Sequence, residues 1–436
     1  MKKTITVMLA FVIVAALFTG CQKKDSGGGE SSGGGTKKLV IWSYMNEGEP
    51  IGGWHQQVTD KFEQMYPGVD VELVLCGREI LTQFSTKLQD RNAADFPDMV
   101  SQGTGAMSPL AKDGLFMPLD DYLRNEKNFD GTKVWGDTLI KNLMDTIKVN
   151  GVNYFIPEGL YAHGIFYDEN MFAKYNLSVP KTWEDLLKIC DTLKANGIYP
   201  FTLDGTTDVY NSWWFCRFGG RLAGTEKMNQ AARGEISWKS DPGFLQAARY
   251  VATFSQRGYF QDGYAGSVFP AAQALLTQGV AGMLMCGAWI PTEMRSQTPP
   301  TMKMQMFTLP ELQNSTSPRH EEVWSNCFAI TKDGKNTQNA INWLKIYTSE
   351  DFQQKKIEIK NPSVLVNGPV VPELREIANI VGNATSTSDA YCGFQQYGAW
   401  FTGVMYPLAT QLITGRMSPE QFIDRLDTDT KGYYSK

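Results

Sequence analysis

Leu39-Val40-Ile41-Trp42-Ser43 is a short apolar run that ends in a polar loop, and Trp54, Val58, Phe62 and Met65 then recur at helical spacing until Pro67-Gly68 stops them. That spacing puts the four side chains on one helix face, with a proline-glycine pair as the stop signal. In Val69-Asp70-Val71-Glu72-Leu73 apolar and acidic residues alternate, the period of a strand with one covered face. Strand, helix and strand in this order make a β-α-β unit of the α/β class. Its parallel sheet takes ligands beyond the C-terminal ends of the strands.

Outward from this unit the same grammar continues. Phe96-Pro97-Asp98-Met99-Val100 reads as a third strand entry, and Leu110 to Leu123 as a helix and turn. Tyr154 to Tyr167 is rich in aromatic and β-branched residues. In Pro180-Lys181-Thr182-Trp183-Glu184-Asp185, Thr182 is placed to cap a helix whose first turn carries acids and whose apolar face is Trp183, Leu186, Leu187 and Cys190. Phe244 to Phe254, Pro270 to Leu276 and Asn336 to Tyr347 read as helices and Val280 to Cys286 as a buried strand. Ser418-Pro419-Glu420-Gln421 opens a last helix with a capping box and a proline at its first position. There is no internal repeat.

At the N-terminus, Lys2 and Lys3 precede an apolar run from Ile5 to Phe18, which is short for a membrane span and gives way at once to small residues. Residues 1–20 are therefore expected to be a signal peptide and the chain to be exported. Residues 22–38 hold Ser, Gly and Lys with no apolar side chain to offset the entropy of ordering, so they read as a flexible tether. The remaining 400 or so residues exceed what one hydrophobic core normally serves, and two domains are expected. Of 41 Lys and Arg, two fall in the leader, leaving 39 against 46 acids. With no basic cluster to meet a phosphate backbone, nucleic acid is excluded as a partner. Beyond Cys21, six cysteines remain, Cys76, Cys190, Cys216, Cys286, Cys327 and Cys392, with no C-x-x-C pair. They read as small buried side chains, bridged or not, rather than metal or redox groups. His55, His163 and His320 lack metal-ligand spacing, and no G-x-S-x-G, H-E-x-x-H or P-loop is present. Neither a cofactor nor a catalytic residue is assigned.

Several ordered segments together resemble the family of extracellular solute-binding proteins that includes maltose-binding protein. They are Phe62-Glu63-Gln64-Met65-Tyr66-Pro67-Gly68-Val69, Phe96 to Val100, Tyr154-Phe155-Ile156-Pro157, and Phe166-Tyr167-Asp168-Glu169-Asn170-Met171-Phe172, in which Asp168 stands where the family has Asn. Pro180 to Leu186, Gly279-Val280-Ala281-Gly282-Met283 followed by Gly287-Ala288-Trp289, and Asn336 to Ser349 complete the set. Leu17-Phe18-Thr19-Gly20-Cys21 resembles a bacterial lipobox, with Phe18 in place of an aliphatic residue, so Cys21 would carry a lipid anchor. The resemblance implies the type II two-lobe periplasmic-binding-protein fold, with hinge strands between the lobes and the ligand enclosed when the hinge closes. By that analogy lobe I is 39–162 plus 303–352, lobe II is 163–302 plus 353–436, and the strand from Tyr161 to Tyr167 is one crossover. It also implies a monomer on the outer face of a membrane that delivers its ligand to the permease subunits of an ABC importer.

A sugar presents flat C–H faces and a belt of hydroxyls, so its site needs aromatic platforms and polar groups at the ring edge. Trp289, in the Gly-x-Trp segment, is the foremost candidate. Trp42 and Tyr44 end the first strand, with Glu47 in the loop after it as a hydroxyl acceptor; Gln102 follows the third. Glu158 and Tyr161 border the crossover, and Asp204 follows the apolar run 199–203. Trp213 and Trp214 lie in a loop-like context, where at least one should face out. Trp324 and Asn326 precede the strand 327–330. Trp54, Trp183 and Trp343 are assigned to cores, and His163 to the cleft or a structural role with equal weight. A secreted glycoside hydrolase is the alternative from another class, although nothing selects a carboxylate pair. Within the binding class a polyamine or a glycerol phosphate stands beside sugar.

Overall fold

The computed structural model describes residues 37 to 435; the leader, Cys21 and nearly all of the tether expected from the sequence lie outside the described residues. In chain order the described strands are β1 Lys37–Ser43, β2 Val69–Leu75, β3 Met99–Gly103, β4 Phe155–Pro157, β5 Tyr161–Asp168, β6 Tyr199–Phe201, β7 Ala281–Gly287, β8 Met304–Phe307, β9 His320–Trp324, β10 Asn326–Ile330 and β11 Ser386–Ser388. They form two sheets, one in the order β2-β1-β3-β10-β4 and one in the order β11-β9-β5-β7-β6, with β8 added to β5. The β-α-β reading of the opening holds: β1 is parallel to β2 from Lys37↔Val69 to Ser43↔Leu75 and parallel to β3 on its other side. The helix Pro50–Met65 crosses between them, burying Trp54, Val58 and Phe62, while Met65, at its last turn, stays exposed.

Most other elements fall where the pattern puts them. Thr182 caps the helix Trp183–Ala195 through a reciprocal box with Asp185, and Ser418 does the same with Gln421 for the helix Pro419–Tyr434. Trp54, Trp183 and Trp343 are all buried. The helix after β3 starts at Thr104, earlier than expected, and carries Pro109 inside it. Cys190, Cys216, Cys286, Cys327 and Cys392 are buried, and none forms a disulfide.

The chain passes between the sheets through two adjacent antiparallel strands. At the first passage β4 pairs with β10 (Cys327↔Pro157) in one sheet, and four residues later β5 pairs with β9 (Tyr161↔Trp324) in the other. Ser325 lies opposite the gap. Its Oγ accepts from the backbone N–H of Glu158 at 3.0 Å and of Gly159 at 3.2 Å, so the two passages are tied exactly where they change sheet. Sheet membership differs from the segments expected by analogy. β8 and β9 both pair with β5 of the second sheet, and the chain re-enters the first sheet at Asn326 rather than near Lys303. Nor does the first part end at Phe352: Val364 O accepts from Ile140 N–H and Val366 N–H donates to Thr138 O. The crossover itself is Glu158 to Leu160; the strand Tyr161–Asp168 belongs wholly to the second sheet.

Candidate functional site

A cavity of about 370 Å³ opens between the two sheets, beyond the C-terminal ends of β1, β2 and β3. One wall is aromatic. The helix Asp208–Leu222 carries Tyr210 and Trp213 three residues apart and therefore on one face, with their rings stacked at 4.2 Å. Tyr391 stacks on the other side of Trp213 at 5.6 Å, and Trp289 meets both Trp213 and Trp324 at 5.5 Å. Two local features set these rings in place. Gly287 lies directly under the Trp289 indole, where a Cβ would come within 1.7 Å of its Cζ3. Tyr391 and Cys392 both adopt the left-handed conformation, φ 59° and 56°, which costs energy in a non-glycine residue and recurs at functional sites.

The layer behind the rings is held by buried charge. Arg217 and Arg221, on the same helix as Trp213, reach Glu321 of β9 at 3.2 and 2.5 Å, which ties that helix to the strand carrying Trp324. Beside it, His163 of β5 bonds Glu322 through Nδ1 at 2.7 Å, and Glu322 also accepts from Cys392 N–H at 2.9 Å. The His163 ring is 4.4 Å from Trp213 and about 6 Å from Trp289, Trp324 and Tyr391. Burial lowers its pKa, which favours the neutral ring, and its Nε2 has no partner among the described residues. The indole N–H groups of Trp213 and Trp324 are likewise buried without a partner among the described residues.

The facing wall is polar. Arg78, just past β2, pairs with Glu49 at 2.8 Å, donates to Tyr44 O at 2.7 Å and lies over the Tyr44 ring at 5.0 Å. Asn326 donates through Nδ2 to the Tyr44 hydroxyl. Gln102 adds an amide, and Gln395, on the turn that carries Tyr391, adds another from the aromatic side. On the aromatic side, on the short helix that follows Trp289, Glu293 is bonded by Gln273 Nε2 at 2.9 Å. It lines the cavity, and desolvation raises its pKa. Burial likewise keeps Tyr44, Tyr161, Tyr210 and Tyr391 protonated, able to donate as well as accept. No group of His, Cys, Asp and Glu among the described residues could hold a metal ion.

Of the residues singled out in the sequence, Tyr44, Gln102, Tyr161, Trp213, Trp289, Trp324 and Asn326 come together on this cavity. Five do not. Trp42 is still inside β1 and packs on the cluster of Tyr44, Met45, Ile51 and Ile80. Glu47 points to solvent, and the loop presents Glu49 instead. Glu158 is buried beneath the passage between sheets, where it bonds His55 Nε2 at 3.0 Å. Asp204 is buried and accepts from Ser267 Oγ at 2.7 Å and Ala272 N–H at 3.0 Å. Trp213 and Trp214 lie in a helix, not a loop, and successive helical side chains diverge, so Trp214 packs instead on Phe201, Phe254 and Phe260. The reading missed Glu49, Arg78, Tyr210, Glu293, Tyr391 and Gln395. The rule that ligands sit past parallel strand ends could have found Arg78, and recognising the helix would have found Tyr210.

The chain is similar to known proteins along most of its length. A binding protein of Brucella abortus (strain 2308) is 25% identical over 364 residues, 76% of this chain and 84% of its own. The multiple sugar-binding protein of Streptococcus mutans serotype c is 21% identical over 367 residues, 82% of this chain and 81% of its own. A solved chitin oligosaccharide binding protein superposes with a TM-score of 0.73 at 18% identity, covering 92% of this chain and 100% of that one, and so shares the two-lobe fold. Residues 47–354 match the model of the bacterial extracellular solute-binding protein family, and the chain belongs to that family.

Proposed function

We propose that the protein captures a carbohydrate between its two lobes and delivers it to the permease of an ABC importer. The observation that carries this reading is the cavity itself, with Trp213, Trp289, Trp324 and Tyr391 on one side and Gln102, Asn326, Arg78 and Glu49 on the other. Flat rings take the C–H faces of a pyranose, while amides, a guanidinium and carboxylates take the hydroxyls at its rim. The sheet pairings favour lobes of 37–160 plus 326–366 and 161–324 plus 371–435. The tied strands at Ser325 act as the hinge. Cys21 anchors the exported monomer by its lipid. Among the described residues no helix is long and apolar enough to cross a membrane.

The family consists of binding proteins, and the two carboxylates on the cavity suit binding better than hydrolysis, because Glu49 is engaged by Arg78. A thermal-shift screen of the purified protein against mono- and oligosaccharides, polyamines and glycerol phosphates tests the reading, with product analysis on every hit. A ligand bound only by the folded state stabilises it by RT ln(1 + [L]/Kd). Sugar-specific shifts without turnover, lost in Trp289→Ala, are expected. Cleavage of an oligosaccharide would replace the reading with a hydrolase, and a response to polyamines alone would replace the ligand.

A further inference from the structure

The aromatic row of the site does not end at the cavity. From Tyr391 it passes through Trp213 to Tyr210, and Tyr210 meets Phe269 edge-on at 5.8 Å. Phe269 is 42% exposed and its neighbour Val268 65%, so two large apolar side chains stand in solvent beside the site. Exposed apolar groups next to a binding cavity mark further contact area.

This lip is built, not loose. Buried Asp204 receives Ser267 Oγ and Ala272 N–H, the residues that bracket it. Thr206 donates to Ser267 O through both its N–H and its Oγ1, at 3.2 and 2.8 Å. The helix Ala271–Thr277 that follows places Gln273 on Glu293 of the cavity wall. Phe269 is thus fixed to the site from two directions, through Tyr210 and through Gln273. The cavity, meanwhile, has a volume of about 370 Å³, at the small end for a pocket that encloses a ligand.

We propose that Phe269 is an outer platform of the ligand site and that the ligand is an oligosaccharide, one end enclosed among the tryptophans and the next ring lying over Phe269. This rests on the carbohydrate reading. Calorimetric titration of the wild type and of Phe269→Ala and Phe269→Trp tests it, using mono-, di- and trisaccharides of glucose, xylose, galactose and N-acetylglucosamine. In the series that binds, the wild type should prefer the trisaccharide to the monosaccharide. That preference should fall about tenfold in Phe269→Ala, the worth of one aromatic contact, and return in Phe269→Trp. An unchanged preference in Phe269→Ala, or a wild type that binds monosaccharide as tightly as trisaccharide, overturns the platform while leaving the carbohydrate reading intact. Failure of every series to bind the wild type overturns the carbohydrate reading and this inference with it.

Discussion

Replacing Gly287 with alanine adds one methyl group and should remove the principal platform of the site. Gly287 ends β7 with a φ outside the left-handed region, so alanine fits its backbone without strain. The difficulty is the indole above it. The new Cβ would lie 1.7, 2.2 and 2.3 Å from Cζ3, Cη2 and Cε3 of Trp289, whereas carbon atoms pack at about 3.5 to 4.0 Å. The ring must therefore move by about 2 Å. Trp213 and Trp324 already stand against it at 5.5 Å, which leaves the cavity as the open direction, and the displaced indole then occupies ligand space. Loss of a central tryptophan contact costs about 2 kcal/mol, or roughly thirtyfold in Kd. The free protein should lose little stability, because the ring swings into space rather than into the core. Calorimetric titration with the best sugar from the screen, beside a thermal melt, checks both parts. Binding within threefold of wild type in Gly287→Ala, with Trp289→Ala strongly impaired, would refute the steric argument.

Three further outcomes follow from the same coordinates. Trp213→Ala and Trp214→Ala should separate by Kd rather than by melting temperature: both delete a fully buried ring and cost about 3 to 5 kcal/mol of stability, while only the first, which lines the cavity, weakens ligand binding at low temperature. Asp389, which receives Thr104 Oγ1 at 3.0 Å from the facing lobe, has its pKa raised by burial from 3.8 to about 6; closure around a ligand then takes up a proton, so affinity should be highest below about pH 4 and fall as pH rises through 6. Since Asp389 still looks into a polar cavity shared with Lys112, Lys148, Arg233 and Glu226, the effect should be about tenfold, read by titration across pH and absent in Asp389→Asn. Lys356, buried against Glu158 O and Pro362 O, has its pKa lowered by desolvation from 10.5 to about 7. Between these values the unfolded chain binds the extra proton, so stability should rise with pH from 7 to 10 by an amount on the order of a few kcal/mol, and denaturant melts of Lys356→Met should show that slope removed.

What could be read from the sequence was what depends on near neighbours. The Gly-x-Trp pair, marked out by its resemblance to the family's segment, is such a case, because the indole folds back over a glycine two residues away. The capped helix starts and the alternation of β2 are equally local. Misplaced residues share the opposite property. Trp213 and Trp214 are equivalent as letters and separate only when the helix assigns each a face. Glu47 and Glu49 share a loop, and its path alone decides that the second meets Arg78, some thirty residues on. Glu158 and Asp204 border strands and carry charge, yet each is consumed by a distant partner, His55 and Ser267. Tyr391 reaches the site by a left-handed turn that no periodicity announces.

The two lobes bring different chemistry to the cavity, and the division bears on how capture and closure are coupled. Tyr210, Trp213, Trp289 and Tyr391 come from the second lobe; Glu49, Arg78, Gln102 and Asn326 come from the first. A sugar can therefore lay its face on the rings of the second lobe alone, while its hydroxyls gain partners from the first lobe only when the cleft shuts. Such a ligand binds the closed state better than the open one, which is the condition for it to shift the equilibrium toward closure. Gly105 permits the approach: a Cβ there would lie 2.5 Å from Gln395 Oε1 and 3.2 Å from Asp389 Oδ2 across the cleft. The turn that carries Tyr391 and Gln395 to the ligand thus also carries Asp389 to Thr104 and Gln396 to Lys112 of the opposite lobe. The same eight residues, Asp389 to Gln396, line the cavity and bridge the lobes, so a ligand that orders this turn on one side should also favour the latch on the other.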